Sequence, residues 1–419
     1  MEDIELEKLL RYEDKHYLGS VDLIAASNAP TATVRANTSW GVAQFRSAEG
    51  YPGRRPYAGC ANIDAVEQLA IRRVCKVFDA EHANVQPLSG SLANLAAYRA
   101  VLQPGDTLLS LSMNAGGHLS HGHPKHLVSS KYKVVHYSVD PITRLLNYDE
   151  ILLIARQERP KAIVAGYSAY PRVIDFTRFA EIAHDVGAKL IADISHIAGL
   201  VAAGLHENPS LTGAIVTTSV EKTLRGTRGG FILCPAALRS AVDTAVFPGL
   251  QSSVGLAGLV SLCLLLSEIG SASFRRYQER VVQNARFLGS LLSDHGIPLV
   301  TGGTDTHMIV LDVYAIGLTG RDAEKRLEEI GILSNRNLLP FDPLPPFKAS
   351  GLRLGTPTIT ARGYDESDIR EVSEIIASAL LADGWENAQR NSLRDRVSEL
   401  AWQPRAEDTL KDLYLRVHS

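Results

Sequence analysis

The chain has 419 residues, 45% of them hydrophobic, a formal net charge of −3 and four cysteines. That length exceeds one typical domain and is enough to bury a large core. The near-neutral charge gives no general drive toward nucleic acid or an anionic membrane. Cys60, Cys75, Cys234 and Cys263 form no CxxC pair, so free thiols in a reducing cytoplasm are expected rather than a zinc site or disulfide framework.

The opening "MEDIELEKLLRYEDKH" is acidic and helical in pattern, the opposite of a signal or transit peptide. "DAVEQLAIRRVCKVF" predicts a helix with Asp64 as its N-cap. "QPLSGSLANLAAYRA" then places Ser89, Gly90 and Ser91 at a helix start. There, free backbone N–H groups, hydroxyls and a glycine suit a phosphate, although a plain serine cap is the competing reading. Short β-branched runs follow at "DTLLSLS", "YKVVHYSV", "AIVAGYSA", "KLIADISH", "AIVTTSV" and "GGFILC". The amphipathic helices "YDEILLIARQE" and "RFAEIAHDVG" lie between them. This alternation predicts an α/β fold with a mostly parallel sheet.

"NAGGHLSHGHPKH" carries His118, His121, His123 and His126. A metal cluster is one reading, but no acidic ligand motif accompanies them. A double glycine before His118 suits an imidazole brought over a flat ligand. "LIADISHIAG" ends a strand on Asp193, with His196 three residues later; Asp193 suits a pyridinium proton or, equally, a structural cap. "TTSVEKTLRGTRGG" sets Lys222 just past a strand end. "VGLAGLVSLCLLLSEIG" is apolar but its charge-free core falls short of the ~20 residues that span a bilayer, so a buried helix is expected. Beyond about residue 280 the strands thin to "HMIVLDV" and "GLRLGT". The expected organisation is an N-terminal helical arm (1–45), a large α/β domain (46–280) and a smaller α+β domain (281–419). No G-x-G-x-x-G follows a strand and no G-x-x-x-x-G-K-[ST] occurs, which disfavours dinucleotide and P-loop sites. A phosphate-binding helix start, a strand-end aspartate, a stackable histidine and a post-strand lysine together fit pyridoxal 5′-phosphate, whose aldehyde takes a lysine amine.

The blocks "AEGYPGRRPYAGC", "VEQLAI", "NVQPLSGSLAN", "GGHLSHG", "SAYPRVIDF", "HIAGLVAAGLH", "KTLRGTRGG" and "LRLGTPTITARG" occur in order, and the chain resembles serine hydroxymethyltransferases, fold-type I pyridoxal-phosphate enzymes. The resemblance implies Lys222 as the Schiff-base lysine, Asp193 at the pyridine nitrogen and His118 stacked on the ring. It places His196 and Ser168 near the phenolic oxygen, and Ser89, Gly90 and Ser91 on the phosphate. Arg353 would fork onto a substrate carboxylate, and Asn337 would contact folate. Glu49 and Tyr57 match residues contributed by a neighbouring subunit, which implies a homodimer with shared sites.

Several positions depart from the family pattern: Ala26-Ser27-Asn28 for "SEN", Ser47 for a tyrosine, Pro56 for a tyrosine, Ala115 and Glu221 for histidines, and Leu250, Ser252 and Ser253 near the partner's phosphate. Together they lead to the expectation of a diverged member in specialised metabolism. Such an enzyme would act on an α-amino acid or an amino-acid-bearing conjugate and cleave or form Cα–Cβ, or expel a β-substituent such as a thiol from a cysteine conjugate, with Lys222 and Glu49 as acid–base groups. The alternatives are an ordinary serine/glycine hydroxymethyltransferase using tetrahydrofolate and a non-catalytic cofactor-binding scaffold.

Overall fold

The computed structural model describes residues 3–37 and 41–418. Two compact units emerge, Thr33–Gln278 and a second made of Met1–Ala32 with Glu279–Ser419.

The first unit is built on a seven-stranded sheet: β1 (His82–Asn84), β2 (Thr107–Leu111), β3 (Lys133–Tyr137), β4 (Ala162–Ala165), β5 (Lys189–Asp193), β6 (Ile215–Ser219) and β7 (Gly230–Cys234). Their spatial order is β1-β7-β6-β5-β4-β2-β3. Strands β2 to β6 pair in parallel, while β7 is antiparallel to both β6 and β1. Six strands therefore point one way and β7 alone runs against them. Strands β4, β6 and β7 are buried along their whole length, as expected when helices cover both faces of a parallel sheet. Ala93, Ala96 and Ala97 on the helix Gly90–Val101 join Val164, Ile191, Ile215 and Ile232 of the sheet in one apolar cluster. Their short side chains let the helix lie close over the strands.

Each β-branched run of the sequence becomes one of these strands, because period and burial agree. The helix Ala61–Phe78 differs at its start. Cys60 occupies the N-cap and Asp64 lies inside the first turn. Asp64 instead accepts from the Gly53 N–H at 2.8 Å and from Arg55 Nε at 2.6 Å. Its partners come from the preceding loop, which a local cap reading does not see. The apolar stretch after Val254 is the helix Leu256–Glu268, and no single helix among the described residues is long and apolar enough to cross a membrane.

The second unit carries a three-stranded antiparallel sheet of β8 (Met308–Asp312), β9 (Asn335–Asn337) and β10 (Gly351–Gly355), with β10 central. Val21–Asp22 from near the chain's start pairs in parallel with Ile332–Leu333. Val21 and Leu23 enter the same apolar core as Leu288, Leu311, Leu352 and Ile376. The start of the chain is thus a structural part of this unit.

Candidate active site

Because β1 to β6 run in one direction, their carboxyl ends share an edge, where ligands of open α/β sheets bind. From β1 the chain passes through Pro87 to Ser89, which caps the helix Gly90–Val101 by accepting from Leu92 N–H at 3.3 Å. The first N–H groups of that helix have no intrahelical acceptor. A Cβ built on Gly90 would meet Ser195 Oγ and Ser219 Cβ at 3.1 Å, so this concavity exists because the residue is glycine. Ser195 Oγ accepts from Ser219 N–H at 3.0 Å, joining the loops after β5 and β6. Ser219 Oγ is buried and lacks a hydrogen-bond partner.

Asp193 ends β5 and is buried. One carboxylate oxygen accepts from Asn94 Nδ2 at 2.7 Å and His121 Nε2 at 2.9 Å, and the other from Ser195 N–H at 2.9 Å. Burial alone would raise this carboxyl. The His121 hydrogen bond and the positive influence of His121 and His118, with Asn94, outweigh burial and hold it far below the usual carboxylate range. Asn94 is oriented in turn by Thr217, whose hydroxyl donates to Asn94 Oδ1.

Beyond β2, Gly116 has φ +106°, and a Cβ there would strike the Ala169 carbonyl at 2.9 Å. Its own carbonyl accepts from Ser168 N–H at 2.8 Å. This close approach fastens the histidine turn to the loop after β4 that carries Ser168. His118 Nδ1 accepts from Ser120 N–H at 3.2 Å and lies 2.7 Å from the Ser120 hydroxyl. Burial first, then the neighbouring His121, pushes its imidazole down to about 4, so the ring is neutral at physiological pH. His121 packs on it edge to face at 5.5 Å. Among the described residues no His/Cys/Asp/Glu group is placed to hold a metal ion. His123 and His126 accept N–H groups from Lys125 and Val128 in their own turns.

Lys222 lies in the turn after β6, closed by Arg225 N–H donating to its carbonyl at 2.9 Å. Its charge also disfavours protonation of His118, so the two share one electrostatic neighbourhood. The next residue, Thr223, donates to the His196 carbonyl at 2.9 Å, tying this turn to the loop after Asp193. Glu221 accepts from Val220 N–H at 3.2 Å and lies 3.9 Å from Arg228. Its contacts are those of its own turn.

Glu49 and Tyr57 form a pair in the first unit, Tyr57 donating to Glu49 Oε2 at 3.1 Å. That bond, and then the carboxylate's charge, pushes the phenol up. Glu49 is bridged in antiparallel fashion to Ser253, and Val254 N–H donates to the Ala48 carbonyl at 3.4 Å. In the second unit, Arg353 on β10 faces Asn335 on β9 and donates from Nε to Asn335 Oδ1 at 3.1 Å. Burial lowers its guanidinium to about 10, still protonated at neutral pH. Asn337 closes the same strand, its amide donating to the Leu338 carbonyl at 2.6 Å.

A family model for serine hydroxymethyltransferase matches residues 1–376. The chain is 47% identical over 372 residues to the serine hydroxymethyltransferase of Coprothermobacter proteolyticus, covering 89% of each sequence.

The chain belongs to the serine hydroxymethyltransferase family.

It is a pyridoxal-phosphate-dependent transferase of fold type I. The matched span includes every position at which the chain departs from the family pattern, from Ala26 to Ser253. Those departures do not carry the diverged, specialised-metabolism reading that the sequence suggested, and the ordinary hydroxymethyltransferase alternative fits the match better. Glu221, engaged with Val220 and Arg228, and Ala115, buried in the turn before Gly116, sit in structural settings.

The residues at the sheet edge fit the cofactor. The glycine cradle with the unpartnered Ser219 hydroxyl suits a phosphate, an ionised buried carboxylate suits a pyridinium nitrogen, and a neutral imidazole suits a flat ring. Asn94, His121, Thr217 and Ser219 belong to this arrangement although the sequence reading gave them no part in it. A usable signal existed for Asn94, which lies one helical turn past Gly90 and faces the same way.

Proposed function

We propose that this protein interconverts serine and glycine, passing the serine hydroxymethyl carbon to tetrahydrofolate. The observation that supports it best is the assembly of Gly90, Asp193, His118 and Lys222 at one sheet edge in a chain of this family. Bound pyridoxal phosphate supplies an electron sink for charge developing at the substrate Cα. Asp193 holds a proton at the pyridine nitrogen, and its depressed carboxyl keeps the partnership charged at neutral pH. Lys222 offers the amine that holds the cofactor aldehyde and takes or returns the proton at Cα. Ser89, Gly90 and Ser91 would hold the phosphate, and Ser168 and His196 would hydrogen-bond near the phenolic oxygen. Arg353 binds the amino-acid carboxylate, with Nε occupied by Asn335. Glu49 moves the proton at the serine hydroxyl, and Asn337 contacts the folate.

Glu49 and Tyr57 serve the partner's site in a homodimer. The bridge from Glu49 to Ser253 supports this, since it unites the two sequence blocks that the resemblance assigns across the subunit boundary. The reaction is tested by incubating purified protein with serine and tetrahydrofolate. Glycine and methylenetetrahydrofolate should appear in equal amounts. Turnover of bulky β-substituted amino acids without any folate-dependent serine cleavage would reject the proposal.

A further inference from the structure

Glu49 projects from a loop whose backbone is gripped on both sides by a buried polar cluster. Arg55 Nη1 donates to the Ala48 carbonyl at 3.2 Å and the Gly50 carbonyl at 2.7 Å, the two that flank Glu49. Arg55 Nε donates to Asp64 at 2.6 Å, and Nη2 to Glu67. The other Glu67 oxygen accepts from Gln86 Nε2 at 2.7 Å, and the same amide donates to the Gly50 carbonyl at 3.0 Å. The side chains of Arg55 and Glu67 are 2% and 1% exposed. On the far side, Tyr51 donates to the Asp243 carbonyl at 2.6 Å and accepts from Asn84 at 2.8 Å.

A buried ion pair is weak grounds for stability, because desolvation offsets most of the Coulomb attraction. What this cluster visibly does is fix geometry. A planar guanidinium reaches two carbonyls and two carboxylates at once, which an ammonium on a flexible stem does not. Every one of these bonds ends on the segment around Glu49 or on a group that holds Arg55 in place.

We propose that Arg55, locked by Glu67 and Gln86, is a positioning residue that sets where the Glu49 carboxylate stands. The inference rests on the reading of Glu49 as the acid–base group at the substrate hydroxyl. Displacing a reacting group by about 1 Å costs on the order of 100-fold in rate. Arg55→Lys should therefore lower kcat for serine cleavage by about that factor, with the serine KM and the visible absorption of the bound cofactor unchanged. Hydrogen exchange of residues 48–57 should rise. In the double variant Arg55→Lys/Glu49→Gln, kcat should be no lower than in Glu49→Gln alone, since the clamp then has nothing to position.

Multiplicative losses in the double variant, or an unchanged kcat in Arg55→Lys, would overturn the proposal. Full activity in Glu49→Gln would instead remove the role of Glu49 itself. Should Arg55→Lys fail to fold, Gln86→Met loosens only the Gly50 and Glu67 contacts, and must show the same non-additivity with a smaller loss.

Discussion

His118 is partly buried beside another histidine, and both conditions favour the neutral ring that its proposed stacking on the cofactor calls for. Burial first, then His121, holds it to about 4, against an ordinary value of 6.5. The unfolded chain takes up a proton on this ring as pH falls below 6.5, whereas the folded chain refuses it until about 4. Stability is therefore lost as pH falls through that interval, by up to about 3 kcal/mol from this group. Denaturant unfolding of cofactor-free protein at pH 7 and pH 4.5 should show a smaller acid loss in His118→Asn than in the parent. Equal losses would place the titration elsewhere. In Asp193 the partners overcome burial and the charged form is kept instead, and this settlement by His121 and Asn94 was not readable from one strand end. Residue type and position were legible for Lys222, Asp193 and His118. The partners that tune them come from other segments and became visible only in the fold.

At the scale of elements, the helix Gly90–Val101 ties the candidate cofactor site to the sheet. Its N-terminus was legible because a serine, a glycine and an alanine-rich apolar face all lie within a dozen residues. The concavity at Gly90 was not, since Ser195 and Ser219 arrive from two later strands. Gly90→Val should retain the helix, valine being no worse than glycine in helix propensity. Its side chain should nevertheless crowd Ser195 and Ser219 and weaken pyridoxal phosphate binding by about tenfold or more, equivalent to about 1.4 kcal/mol. A fluorescence titration with the cofactor measures this, and an unchanged affinity would argue against a phosphate in that cradle. Asp64 shows the opposite failure of local reading. Its place near a helix start suggested a cap, but the loop that folds back on it supplies Gly53 and Arg55 as partners, a contact outside the three- or four-residue spacing by which caps are read.

At the scale of the whole molecule, the proposal that Glu49 and Tyr57 serve the partner's site is testable by complementation. Glu49→Gln and Lys222→Ala subunits should each be nearly inactive alone. Mixed under conditions that exchange subunits, they should regain activity, because one site of each hybrid combines an intact Lys222 with an intact Glu49. Mixtures that stay inactive despite proven exchange would locate each complete site within one chain. The arrangement of the sheet was only partly foreseeable: strand runs and their alternation with helices announced a parallel sheet, but the reversal of β7 depends on pairings across most of the unit.

That reversal also governs the order in which the site can be assembled during synthesis. Strand β1 is bonded to β7, so His82–Asn84 finds its partner only once Ile232–Cys234 exists. About 150 residues of chain separate the two, and closing so long a loop delays pairing. The Gly90 cradle is walled by Ser195 and Ser219, and Gly230 N–H holds the Pro87 carbonyl at 2.9 Å. A nascent chain still on the ribosome and ending short of Ser219 thus has the helix Gly90–Val101 but not both residues that pack against its start. The start of this helix is consequently packed late in biosynthesis, by chain made over 100 residues after it.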